Sequence, residues 1–284
     1  MPAKLRIAIV GPGRLGSALA LGLTQAGYVI SEIVSRNTSP AKRKARELAR
    51  KVGARASSAA NVHLGADLVW FCVPDGEIGV ASRQLASVID WKNKTAFHSS
   101  GALTSDELEA LRQRGASVAS VHPMMTFVRG SIPSLKKVPF AIEGDAGALR
   151  TALKVVKNLG GKAFTIRKQD KAVYHAWGAF ASPLLIAALV TAEQLARKAG
   201  LSAAEARSKM LPIVRQTVAN YEALGPTGAF SGPIVRGDAE TVRKHLQALG
   251  SVPEAIEVYL ALARAALRYL PARNRKKLKQ VLGS

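Results

Sequence analysis

The chain is short of cysteine, of acids and of aromatic residues. One cysteine, Cys72, among 284 residues cannot close an internal disulfide. That excludes a disulfide-stapled secreted fold and points to a reducing, cytoplasmic setting. Its neighbours in DLVWFCV are apolar, so Cys72 reads as a buried, inert thiol rather than a nucleophile. Aspartate and glutamate total 19 against 41 lysines and arginines, a net charge of +22. Such a balance attracts anions without saying which, whether nucleic acid, acidic lipid or a phosphorylated cofactor. Aromatic residues make up 5% of the chain. No aromatic RNA-binding pattern, helix-turn-helix or zinc-ligand spacing is legible, so neither specific nucleic-acid binding nor a metal site is expected.

Long hydrophobic runs are equally scarce. The N-terminal run after Lys4 and Arg6 is cut by Gly11-Pro12-Gly13, which is not the design of a signal peptide. The stretch from Ala172 to Ala192 holds no Asp, Glu, Lys or Arg and is long enough to span a bilayer. His175, Ser182 and Pro183 lie within it, and amphipathic segments follow. A helix buried on all sides, inside a domain or at a dimer interface, is expected rather than a membrane span.

What is present is a regular alternation. KLRIAIV, YVISEIVS, DLVWFCV, TAFHSS, SVASVHP and PFAIEG read as strands, separated by helical patterns from about Gly13 to Ala26 and Pro40 to Lys51. This predicts an α/β fold, a Rossmann-like, doubly wound and mostly parallel sheet with helices on both faces. After KAFTI the texture becomes alanine- and leucine-rich with helical spacing. The reading is therefore a Rossmann-like domain over 1–166 and an all-helical C-terminal domain over 167–284. The final ARNRKKLKQVLGS reads as a basic, frayed helix.

The first strand breaks into Gly11-Pro12-Gly13-Arg14-Leu15-Gly16, a G-x-G-x-x-G turn opening a helix. In that context it predicts a dinucleotide site. Gly11 allows the turn, Gly13 admits the pyrophosphate and Gly16 lets helix and strand close together, while the helix N-terminus faces the phosphates. A ribose-binding carboxylate is missing after the second strand. Ser35, Arg36 and Asn37 stand there instead, followed by Thr38, Lys42 and Arg43. Ser35 and Arg36 can bond a 2′-phosphate, which selects NADP(H) over NAD(H). Val73 and Pro74, ending another strand, are placed beside the cofactor crevice, with Asp75 as a helix cap.

Three polar clusters could carry chemistry. His98, Ser99, Ser100 and Gly101 follow one strand, and His122 and Pro123 end another. Lys171, Tyr174, His175, Gly178 and Ser182 recur at helical spacing on a mostly apolar helix. That stripe is expected to face substrate, because polar groups on an apolar helix are costly away from water. Farther on, PTGAFSGPIVRGD reads as a Gly/Pro-rich loop before a helix capped by Asp238, with Thr241 three residues later. Arg236 could meet a substrate carboxylate or pair with Asp238.

In order, IVGPGRLGSALA, HSSGAL, VHPMMTF, KAVYHAWGAFAS and SGPIVRGDAETVRKHL resemble a family of NADP oxidoreductases that join a Rossmann-like domain to a helical domain of undefined function. The resemblance covers essentially the whole chain. Wider relatives are phosphogluconate-dehydrogenase-like enzymes, including pyrroline-carboxylate, ketopantoate and deazaflavin-linked NADP reductases. Prephenate dehydrogenases carry a stretch like His122-Pro123-Met124. The resemblance implies an NADP-dependent reductase or dehydrogenase that forms a homodimer through its helical, phosphogluconate-dehydrogenase-like domain. Lys171 falls near the catalytic lysine of the hydroxyacid-dehydrogenase branch. The expected function is hydride transfer to or from a small carbonyl, imine or hydroxyacid compound. His175 or Lys171 would act as proton donor, and His122 or Ser100 would orient the substrate. A non-catalytic NADP(H) sensor is the alternative.

Overall fold

A computed structural model describes residues 4–283. The strands are β1 (Arg6–Val10), β2 (Val29–Ser35), β3 (Arg55–Ser58), β4 (Leu68–Phe71), β5 (Thr95–His98), β6 (Ser117–Pro123), β7 (Pro139–Gly144) and β8 (Lys162–Thr165). Among them run α1 (Arg14–Gln25), α2 (Ser39–Val52), α3 (Asp75–Ala86), α4 (Glu109–Arg112) and α5 (Ala146–Asn158). The helices α6 (Lys171–Ala181), α7 (Pro183–Lys198), α8 (Ala203–Ala229), α9 (Pro233–Arg236), α10 (Ala239–Leu249), α11 (Pro253–Tyr269) and α12 (Arg275–Leu282) follow.

The eight strands form one sheet in the order β3-β2-β1-β4-β5-β6-β7-β8. All neighbours are parallel except β6 and β7, which run antiparallel. Strand order reverses between β1 and β4, and that switch point opens a crevice at their carboxyl ends. Alternation along each strand feeds two cores. Ile7, Ile9, Leu68 and Trp70 face α1, α2 and α5, whereas Ala8, Val10, Val69 and Phe71 face α3 and α4. Both faces are covered, which is why the runs 7–10 and 68–71 are apolar at every position. The short β3 has no apolar run, so hydrophobic patterning does not mark it.

The chain divides into two compact units, one ending at Ala179 and the other starting at Phe180. This lies beyond the 166/167 boundary read from the sequence, because Lys171 and Tyr174 of α6 are buried within the first unit. The second unit is all-helical and closes around Val242, Ala263, Leu267, Leu278 and Leu282.

Three local expectations need correction. The basic C-terminal stretch is not frayed. Leu278 and Leu282 of α12 are buried, Arg275 donates to the Leu270 carbonyl at the end of α11, and Arg264 donates to the Leu282 carbonyl at the end of α12. Each helix thus receives an arginine cap from the other.

The apolar stretch is also not buried inside its own unit. It breaks at Ser182-Pro183 into α6 and α7, and α7 has no buried residue. Residues Lys168–Lys198 are long and apolar enough to cross a membrane by length and composition alone. Finally, the Gly/Pro-rich loop is partly helical. α8 continues past a kink at Gly225, whose φ of 68° only glycine adopts cheaply, as far as Ala229. Asp238 does cap α10, accepting from the Thr241 amide at 3.0 Å and its hydroxyl at 2.7 Å.

Candidate active site

The glycine turn sits at the β1/β4 switch point, and each glycine has a separate geometric reason. Gly11 has φ +103°, and a Cβ there would lie 2.6 Å from the Cys72 carbonyl oxygen. A Cβ on Gly16 would run into the Gly11 carbonyl. Above Gly13 the space is open, with the Cys72 carbonyl 3.9 Å away. The first helical bond of α1 runs from Ser17 to Gly13. The amides of Arg14, Leu15 and Gly16 therefore keep their donors free for an anion.

A cavity of about 470 Å³ extends from this turn, lined by Gly11, Pro12, Gly13, Arg36, Val73 and Pro74 among others. Thr38 and Lys44 also line it, and the Thr38 side chain makes no capping bond. Lys44, rather than Lys42 or Arg43, is the α2 cation on this cavity. Lys42 lines a separate crevice with Arg46. Ser35 is buried, and its hydroxyl donates to the carbonyls of Arg36 and Ser57, so Arg36 is the exposed donor of that pair. Arg14 lines an adjacent crevice with Arg129. Leu15 packs on the sheet core. Asn37 and Leu15 are not among the cavity-lining side chains. Cys72 is half-buried on the cavity wall, and burial pushes its thiol pKa up, away from reactive thiolate.

The carboxyl ends of β5 and β6 hold the second cluster. His98 is fully buried, with Nε2 2.9 Å from the Thr104 carbonyl and Nδ1 accepting from the Ser100 amide at 3.1 Å. Its proton therefore sits on Nε2. Burial and then the Lys171 charge pull its pKa down to about 3. Ser99 accepts from the Trp70 indole at 2.7 Å. The Ser100 hydroxyl donates to Asp75 Oδ2 at 2.9 Å and accepts from the amides of Ala102 and Leu103. Asp75 is consequently not the cap of α3. Pro74 holds that position, and the carboxylate instead reaches across to the β5 loop.

α6 meets these loops from one side. Lys171 is 1% exposed. Its ammonium donates to the Ser100 carbonyl at 2.8 Å and to the Ser120 hydroxyl. Burial lowers its pKa to about 8, against the opposing pull of Glu143 and Asp75. Tyr174, 7% exposed, hydrogen-bonds His122 Nδ1 at 2.7 Å, and burial raises its pKa to about 12. His122 is pulled down to about 4 by burial first, then by Lys171 and His175. His175 stays exposed, its ring 6.2 Å from that of His122.

The helical stripe thus splits. Lys171 and Tyr174 turn inward and hold the loops, while His175 faces outward beside His122. Gly101 makes their approach possible, since a Cβ there would lie 2.5 Å from His175 Cδ2 and 3.0 Å from His122 Nε2. Tyr174 and Gly101 belong to the polar clusters read from the sequence but have no role of their own there, and Asp75 reads there only as a helix cap. Helical spacing with Lys171 signals Tyr174, the HSSGAL cluster signals Gly101, and the position of Asp75 at the start of α3, after β4, signals the third. Among the described residues no group of three or more His, Cys, Asp or Glu is placed to hold a metal ion.

Residues 1–123 match the family described as a Rossmann-like domain, and residues 138–266 match a domain of unknown function, DUF2520. No curated protein matches the sequence. Among solved structures, a candidate NADP oxidoreductase from Bacteroides fragilis is 23% identical, with a TM-score of 0.76 over 92% of this chain and 97% of that one. A reductive aminase from Aspergillus terreus, in complex with NADPH and ethyl-5-oxohexanoate, is 19% identical, with a TM-score of 0.66 over 94% of each chain. A pyrroline-5-carboxylate reductase from Coxiella burnetii is 15% identical, with a TM-score of 0.58 over 92% and 97%. At these identities the likeness establishes the fold.

Proposed function

We propose that this chain, which joins a Rossmann-like domain to a DUF2520 domain, is a cytoplasmic NADP(H)-dependent oxidoreductase acting on a small molecule with a C=O or C=N bond. One observation carries the reading: the phosphate-accepting turn and the histidine pair stand on the same carboxyl edge of one sheet. The free amides of Arg14, Leu15 and Gly16 would receive the diphosphate, with Gly13 giving it room. Arg36, Thr38 and Lys44 would hold the 2′-phosphate. No carboxylate ends β2 to repel it, since Ser35 stands there. When bound, NADPH supplies a hydride to the electrophilic carbon of the substrate, whose heteroatom must gain a proton.

His175 is assigned as the proton donor because it is the open imidazole of the cluster. His122 orients the substrate heteroatom. Lys171 is a positioning residue, since its donors are directed at Ser100 and Ser120. Ser100 likewise spends its hydroxyl on Asp75 and the following turn. The likeness to a reductive aminase in complex with NADPH and ethyl-5-oxohexanoate and to a pyrroline-5-carboxylate reductase supports an imine or carbonyl class. Exposed Leu184, Ile186, Val190, Ile213, Val218 and Leu224 on α7 and α8 support a homodimer through the helical unit.

Calorimetry on the full chain tests the reading. NADPH is expected to bind at least about tenfold more tightly than NADH, a difference of about 1.4 kcal/mol, and Arg36→Asp should abolish that preference. Turnover should then be found among small imines, ketones and hydroxyacids. Binding of neither nucleotide would overturn the reading, and tight NADPH binding without turnover across the panel would favour the sensor alternative.

A further inference from the structure

The hydrogen bond between Tyr174 and His122 can be made in two ways, and they give different chemistry. If the phenol donates to Nδ1, the imidazole proton lies on Nε2. If Nδ1–H donates to the phenol oxygen, Nε2 is bare and the phenol must place its own proton elsewhere. Tyr174 is buried, and among the described residues its hydroxyl has no second hydrogen-bond partner. A buried O–H without an acceptor is costly, so the first arrangement is the stable one. The ring atoms Cε1 and Nε2 of His122 both lie 3.0 Å from the point where a Gly101 Cβ would stand. The edge carrying Nε2 therefore faces the space that Gly101 leaves open, shared with His175.

We infer that Tyr174 is a positioning residue that locks His122 as the Nε2–H tautomer, making it a neutral hydrogen-bond donor to the substrate heteroatom rather than a base. This rests on the hydride-transfer reading and adds the direction of the contact. A donor aimed at a carbonyl oxygen or imine nitrogen strengthens its bond as negative charge develops there. The charged and titratable groups around the ring agree with a neutral imidazole. Lys171 and His175 approach from α6, and their charges oppose a second proton on His122; His98, on β5, is itself held neutral by burial.

Nitrogen-15 NMR of the histidine side chains, on the full chain without ligand, tests the inference directly. His122 is expected as Nε2–H at neutral pH, and Tyr174→Phe should raise its titration midpoint by about half a pH unit or more, because a donor favouring the neutral ring is lost. If Nδ1–H were the donor, the native spectrum would show Nδ1 protonated and the same substitution would lower the midpoint. Either result overturns the inference, as does a midpoint that does not move. Circular dichroism of Tyr174→Phe confirms that the fold survives the change, and Tyr174→Leu repeats the measurement should Phe disturb it. Failure of nucleotide binding would reject the enzymatic reading while leaving the tautomer result in place, so the two failures are distinct.

Discussion

The Lys171 ammonium donates to the Ser100 carbonyl at 2.8 Å, joining helix α6 to the loop after β5 across 71 residues of sequence. The same ammonium reaches the Ser120 hydroxyl on β6. A buried cation is tolerable only when its hydrogens are bonded and opposite charge is near, and Glu143 and Asp75 provide that charge. Lys171→Met is expected to cost about 2 kcal/mol or more, since it strips the donor from buried oxygen acceptors. It should also raise the titration midpoints of His98 and His122. Denaturant titration reads the first effect and histidine NMR the second. Native stability in this variant would mean that the lysine is not an anchor.

The glycines of the turn are separable by substitution. Gly13 has φ −78° and ψ −168°, a conformation open to any residue. Gly13→Val should therefore keep the native melting temperature yet weaken NADPH binding by about a hundredfold or more, because its side chain occupies the space left for the diphosphate. Gly11→Ala, at φ +103° and against the Cys72 carbonyl, should instead lower stability by roughly 1–3 kcal/mol. Thermal melts paired with calorimetry distinguish the two outcomes. Equal behaviour of the two variants would contradict the roles given to them.

Acid should destabilise the protein through its buried imidazoles. His98 and His122 titrate near 3 and 4 when folded, below the 6.5 of an unperturbed histidine. The unfolded chain thus takes up protons first as pH falls. Stability is fully present above about pH 6.5 and is lost between there and pH 4, at about 1.4 kcal/mol per pH unit for each histidine. Urea titrations at pH 7.5 and 5.5 should show this slope, and His98→Gln should reduce it. A stability independent of pH across that window would refute the burial of His98.

The proposed homodimer rests on the outward apolar faces of α7 and α8. Ile186 is 58% exposed and Ile213 68%. Ile186→Glu together with Ile213→Glu should convert a dimer to a monomer in sedimentation equilibrium. A native chain that sediments as a monomer at micromolar concentration would dismiss the interface.

Some of this site is plain in the residues and some is not. GPGRLG is legible because a left-handed turn, an open approach and a tight helix–strand contact are local demands that glycine meets. Asp238 and Thr241 are legible for the same reason, as a cap satisfies amides three residues away. The α6 stripe is half legible. Helical spacing puts Lys171, Tyr174 and His175 near one another, but no periodicity says which of them turns toward β5 and β6. The α12 segment misleads because its two buried leucines stand among many cations, and its stability comes from α11.

The sequence by itself determined the strand alternation, the glycine turn and the lack of a carboxylate at the end of β2, since these depend on short-range pattern and backbone conformation. Tertiary structure alone decided that Lys171 is an anchor, that Asp75 reaches Ser100, and that His122 meets Tyr174. Those contacts join residues 25 to 71 positions apart. Burial, which sets both their charge states and their hydrogen-bond partners, exists only once the sheet has brought them together.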